Sequence, residues 1–189
     1  MNHKKYVKKY LKNHKKRYIH CLETARLCKK LAKIYKLDSK KSFLMGLYHD
    51  MFKYLNIDEH KSWMDIFDFE EFKNSEELLH GFSLSNYLYH FILDDIDVYN
   101  AIYNHTYGRI DMNDYEKILL IADKAEKSRP YKSKAEKIRH IAYKDLNKAV
   151  IIVLKHSLDF LNQKNVKPRQ EQIEILKYYE RLENGKWKT

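Results

Sequence analysis

His20, the His49-Asp50 doublet, His80, His105 and Asp123 are metal-ligating side chains set in mostly apolar surroundings. His20 lies between Tyr18-Ile19 and Cys21-Leu22, and His80 follows Leu78-Leu79. His105 closes Ile102-Tyr103-Asn104, and Asp123 follows Leu119-Leu120-Ile121-Ala122. An imidazole or carboxylate in such a setting is costly unless hydrogen bonds or a cation compensate it. Taken singly, each histidine suits a structural role bonded to backbone or carboxylate. Taken together, four imidazoles and two carboxylates suit one or two borderline divalent metals, because carboxylate oxygen can bridge two ions and imidazole favours iron, manganese or zinc. Three of the four glycines lie within three positions of this set: Gly46, Gly81 and Gly108. A missing side chain there permits close approach of a helix or of phosphate oxygens. His3, His14, His60, His90, His140 and His156 belong to no such pattern and read as surface or structural residues.

The elements that must carry these residues are helices. Only Pro130, Pro168 and four glycines interrupt the chain, and apolar residues mostly recur at three and four, the period of a buried helix face. The pattern predicts helices over about 3–14, 17–36, 40–54, 75–93, 96–105, 114–126, 134–143, 145–163 and 169–182. Ser39 is expected to cap the third, Asn113 or Asp114 the sixth, and Ser75-Glu76-Glu77 to suit the positive start of the fourth. The acidic, aromatic stretch 56–74 has no clean period. Helix bundles place metals with inward side chains from facing helices, so a ligand set spread over separate helices fits an all-α fold.

Composition narrows the class. The 189 residues are one domain's worth of chain, enough to bury a core without disulfides or a structural metal. The longest apolar run, Ala149 to Leu154, is far short of a membrane span. The basic start, Met1 to Tyr10, is not followed by the apolar stretch of a secretory signal. A cytoplasmic protein is expected. Cys21 and Cys28 fall on one helix face and read as buried thiols. Net charge is +11. The basic residues, only seven of 37 being arginine, are scattered along the whole chain; that favours a general basic surface over a nucleic-acid interface. Trp63 and Trp187 read as packing residues.

With those residues in place, the chain resembles the HD-domain metal-dependent phosphohydrolases, whose signature is a spaced histidine, a His-Asp doublet and a later aspartate on a helical core. Arg17-Tyr18-Ile19-His20, His49-Asp50-Met51-Phe52-Lys53, Leu78-Leu79-His80-Gly81, Asn104-His105-Thr106-Tyr107-Gly108-Arg109 and Glu116-Lys117-Ile118 through Ala122-Asp123 are similar to the YqeK-type branch. Members of that branch are symmetrical dinucleoside tetraphosphatases, which split diadenosine tetraphosphate into two ADP. The resemblance covers about residues 14–163, leaving 164–189 as a helical extension of one HD domain spanning 1–189.

The resemblance implies a centre of two metal ions, iron first and manganese or another transition metal as alternatives. One ion would take His20, His49, Asp50 and Asp123, the other His80 and His105, with Asp50 bridging. The implied reaction is hydrolysis of a phosphoanhydride by metal-activated water, with His49, Asp50 and Lys53 as catalytic residues. Arg17, Lys53, Thr106 and Arg109 are implied phosphate contacts, and Glu126 and Arg129 keep family positions counted with the substrate site. The family also implies a nicotinate-nucleotide adenylyltransferase as partner, and a homodimer stays open. The alternatives are another nucleotide phosphohydrolase of the HD class, acting on a monoester or a deoxynucleoside triphosphate, or a non-catalytic nucleotide sensor.

Overall fold

The computed structural model describes residues 1–185, the side chain of Glu76 excepted; Trp187 lies outside them. These residues form eleven α-helices in the order α1 His3–Tyr10, α2 Lys15–Ile34, α3 Ser39–Tyr48, α4 Ile57–Lys61, α5 Ile66–Phe72, α6 Glu76–Phe91, α7 Ile96–Asn104, α8 Asp114–Ala125, α9 Lys132–Ala142, α10 Leu146–Gln163 and α11 Gln170–Glu183. No strand occurs among the described residues, and none of their helices is long and apolar enough to cross a membrane.

Helices α2, α3 and α8 pack together at the centre, with α7 against both α3 and α8 and α6 against α7. A single buried apolar cluster runs from Val7 in α1 to Tyr179 in α11. The α2/α3 crossing is close because Gly46 lacks a side chain: a Cβ there would meet the Ala25 backbone at 2.7 and 2.8 Å. Cys21 and Cys28 are both free and fully buried in α2. The extension α11 packs on α10, and the Tyr179 hydroxyl accepts a 2.8 Å hydrogen bond from the Met112 amide.

Local chemistry shifts several expected boundaries. Asp38, not Ser39, caps α3; its carboxylate accepts from the amides of Lys40 at 2.7 Å and Lys41 at 3.0 Å. Asn113 and Glu116 close a capping box at the start of α8, satisfying orphan amides reciprocally. Ser75 precedes α6 without a side-chain cap, its hydroxyl taken by the Arg169 guanidinium. The stretch lacking a period contains two short helices, the first started by an Asn56/Glu59 capping box and the second by Asp65. Trp63 packs edge-on against Tyr87, its ring centroid 4.9 Å away.

The largest correction concerns the doublet. His49-Asp50 is not within a helix: α3 ends at Tyr48, and His49 is its C-terminal cap. Short i to i+3 bonds then take over, from Met51 N to Tyr48 O at 2.7 Å and from Lys53 N to Asp50 O at 3.1 Å. His105 likewise caps α7. Two of the four expected imidazoles therefore stand at helix ends, where the backbone leaves the regular spiral.

Candidate metal centre

His20 comes from α2, His49 and Asp50 from the end of α3, His80 from α6, His105 from the end of α7 and Asp123 from α8. All six are buried, none more than 6% exposed. They form two groups sharing one residue: His20, His49, Asp50 and Asp123, and Asp50, His80 and His105, with one ligating atom per residue within 4.8 Å of the others in its group.

Asp50 faces both groups. Its Oδ2 lies 3.5 Å from His20 Nε2 and 3.3 Å from His49 Nε2, while its Oδ1 lies 3.0 Å from His80 Nε2 and 3.9 Å from His105 Nε2. Asp123 Oδ1 sits 3.0 Å from His20 Nε2 and 3.5 Å from His49 Nε2. Every imidazole thus turns Nε2 inward and holds its other nitrogen from behind. His49 Nδ1 donates to the Gly46 carbonyl at 2.9 Å, His105 Nδ1 to the Ile102 carbonyl at 2.6 Å, and His20 Nδ1 to Glu126 Oε1 at 3.1 Å. His80 Nδ1 lies 3.2 Å from Lys53 Nζ. Such outer partners fix the tautomer and ring direction of metal-binding histidines.

This donor set fits divalent cations. Where a ring proton is committed to a backbone carbonyl, the opposite nitrogen carries a lone pair, and the His80 and His105 Nε2 atoms approach within 3.0 Å of each other. Convergent lone pairs beside a carboxylate are what a borderline cation binds. The protons and cations of the protein fill that role in part. Burial favours neutral His20, yet bonds to Asp123, Asp50 and Glu126 outweigh it and raise its pKa to about 10. His49 is raised in the same way, Asp50 and Asp123 overcoming its burial. Burial lowers His80, and burial together with the charges of His80 and His49 holds His105 well below its usual value. The two carboxylates lie well below the usual range despite burial, Asp50 through His49, His20 and His80, and Asp123 through Lys124, His20 and His49.

Glycine placement serves the same geometry. A Cβ on Gly81 would stand 3.1 Å from the Ile102 carbonyl and 3.2 Å from His105 Cε1, so glycine lets that ring lie against α6 without displacing it. Gly108 adopts φ +76° in the loop after His105, a conformation glycine takes without strain.

The expected substrate contacts divide. Arg17 reaches the centre, its Nη1 2.6 Å from Asp50 Oδ2. Lys53 stands beside His80, its pKa lowered by burial. The Thr106 hydroxyl is 3.5 Å from His105 Nε2. The other three are engaged by partners within the protein. Arg109 forms a two-pronged pair with buried Glu116, Nε to Oε1 at 2.8 Å and Nη2 to Oε2 at 2.7 Å. Glu126 is buried behind His20 and is also held by the Ser128 hydroxyl at 2.7 Å. Arg129 clamps Asp123, with Nη2 2.6 Å from Oδ1 and Nε 2.7 Å from the backbone carbonyl. Glu126 and Arg129 thus hold the His20 ring and the Asp123 carboxylate from behind. Lys124, which sequence reasoning passed over, places Nζ 2.8 Å from Asp123 Oδ2; its adjacency to the aspartate was the available signal. His60, expected to be structural, is buried and bonded to the Ser83 hydroxyl at 2.7 Å.

A separate cavity of about 210 Å³ lies between α6, α7 and α11, lined by Leu78, Phe82, Tyr103 and Ile175 among others. None of the six cluster residues lines it.

Residues 17–128 match the model of the HD domain, the stretch that contains all six cluster residues. The chain is 35% identical over 167 residues to the symmetrical bis(5'-nucleosyl)-tetraphosphatase of Halalkalibacterium halodurans, covering 84% of this chain and 85% of that one. It is 33% identical over 171 residues to the protein of that name from Staphylococcus aureus, with 87% of each chain covered. A protein from Mycoplasma genitalium named as a probable nicotinate-nucleotide adenylyltransferase/Ap4A hydrolase is 31% identical over 150 residues, 75% of this chain and 42% of that one. Among solved structures, a predicted HD superfamily hydrolase involved in NAD metabolism from Clostridium acetobutylicum superposes with a TM-score of 0.80 at 33% identity, covering 93% of this chain and 95% of the other. A buried two-part His/Asp cluster in a helical bundle and these relatives lead to one conclusion: the chain belongs to the HD-domain hydrolases, in the family of the symmetrical bis(5'-nucleosyl)-tetraphosphatases.

Proposed function

We propose that this phosphohydrolase cleaves diadenosine tetraphosphate symmetrically, one water adding across the central anhydride to give two ADP, at a centre of two metal ions. The observation that carries the reading is Asp50, which offers one carboxylate oxygen to each of two ligand groups in a family whose relatives are named for this reaction. His20, His49, Asp50 and Asp123 would hold one ion and Asp50, His80 and His105 the other. When bound, such ions lower the pKa of water and neutralise phosphoryl oxygens; iron is the proposed native metal and manganese its substitute.

The chain's own residues do the rest. Arg17, on Asp50 in this structure, would supply a guanidinium to a phosphoryl oxygen. Lys53, buried beside His80, supplies a second phosphate contact, and Thr106 a hydroxyl beside His105. Glu126 and Arg129 keep His20 and Asp123 aimed inward. The same reading makes the chain one cytoplasmic HD domain working beside a nicotinate-nucleotide adenylyltransferase, in line with the fused names of two mycoplasma relatives.

Metal analysis of anaerobically purified protein, with chromatography of its products from diadenosine tetraphosphate, tests the reading. About two metals per chain and ADP as sole product are expected. Metal without ADP redirects the search to monoesters and deoxynucleoside triphosphates; nucleotide binding without turnover indicates a sensor.

A further inference from the structure

Next to the centre lies an aromatic pair outside every family motif. Tyr54 follows Lys53 and is 50% exposed. One face of its ring is covered by His14, at 3.5 Å between centroids and 10° between planes. His14 precedes α2 yet makes no side-chain capping bond, so its ring is available to stiffen Tyr54. The Tyr54 side chain also lies close enough to the Arg17 guanidinium to act on its charge, and Arg17 in turn bonds Asp50.

The groups therefore run in the order ligand carboxylate, cation, aromatic face. A nucleotide presents its parts in that order too, with metal-bound phosphate first and a planar base at the far end. Bases stack on aromatic side chains with little preference among them. We propose that the Tyr54–His14 stack is the nucleobase platform of this site, receiving the base against the open face of Tyr54 while Arg17 holds a phosphate. The proposal rests on the nucleotide reading above and adds the residue that tells a nucleotide from a bare polyphosphate.

Calorimetric titration of the full chain, reconstituted with manganese, with ADP and separately with inorganic diphosphate tests it. Tyr54→Ala should weaken ADP by about tenfold or more, in line with roughly 1–3 kcal/mol per stacked base, and leave diphosphate within about twofold. Tyr54→Phe, which keeps the ring and removes the hydroxyl, should bind ADP nearly as the parent does. His14→Ala should weaken ADP by a smaller factor. Unchanged ADP affinity in Tyr54→Ala, or an equal loss for both ligands, overturns the platform and leaves the nucleotide reading standing. A parent protein that binds diphosphate no more weakly than ADP overturns the nucleotide reading itself. Because Tyr54 is half exposed, its removal opens no core cavity, and an unchanged thermal midpoint checks this.

Discussion

The two halves of the centre share Asp50 and differ in almost everything behind it. In the half built by α2, the end of α3 and α8, two carboxylates face two imidazoles, and a further layer of charge stands behind them: Glu126 on His20, with Arg129 and Lys124 on Asp123. In the half built by α6 and the end of α7, one carboxylate oxygen faces two imidazoles, backed by a carbonyl and Lys53. Their titration diverges accordingly, with His20 and His49 raised and His80 and His105 lowered. At neutral pH His20 keeps a proton that competes with an entering cation, while His80 and His105 offer lone pairs directly. Local carboxylate density, more than burial, decides which imidazoles keep a proton, for all four are buried.

The largest effect is expected where the halves join. Asp50→Ala should remove both ions and lower the rate of ADP formation by about a thousandfold or more, since metal catalysis supplies several kcal/mol. Metal analysis and the product assay read this together. A variant that kept one metal per chain would show that the halves stand alone.

The outer layers should differ next. Glu126→Gln should weaken metal binding about 10- to 100-fold, the usual result of losing an outer partner, and only in the first half. Competition with a chelator would then show one ion released early. Simultaneous release of both would erase the distinction between the halves. The His105 support is the Ile102 carbonyl and has no side chain to remove.

The pH dependence of the metal-free protein sharpens the contrast further. His20, raised to about 10 from 6.5, contributes stability that is present below about pH 6.5 and is lost as pH rises through 10. His80 and His105, both lowered, contribute the opposite limb: stability present above about pH 6.5 and lost as pH falls below it. Thermal midpoints in chelator should peak near pH 6.5 and fall by several degrees on each side. His20→Gln should flatten the alkaline limb and His105→Gln the acid one. Unchanged limbs in both variants would refute the assignment.

The smallest effect is expected at Gly81. Its alanine variant must move His105 or Ile102 by a few tenths of an ångström, given contacts of 3.1 and 3.2 Å. A destabilisation of about 1–3 kcal/mol, the range for overpacking, should appear in denaturant unfolding, together with weaker binding of one metal.

Legibility in the sequence followed the same division. Helices α2, α6, α7, α8 and α10 were readable because each carries a long apolar face. The six cluster residues were readable because polar side chains in such faces need compensation. Glu126, Arg129 and Arg109, expected from the sequence as substrate contacts, are bonded to His20, Asp123 and Glu116 in the structure. Position shows that a residue is near the site but not what it bonds. The extent of α3 was overdrawn because Met51 and Phe52 extend its apolar pattern and are buried, even though the backbone has already left the helix. Lys124 and Tyr54 escaped notice for want of any periodic signal.

One ligand group ties α2 to α8, from His20 to Asp123, across roughly a hundred residues of chain. A cation held there is a reversible cross-link: it closes that loop in the folded state and has no counterpart in the unfolded one. Metal supply would then govern the lifetime of the fold as well as its chemistry, and a chain starved of metal would be the one first opened to proteolysis.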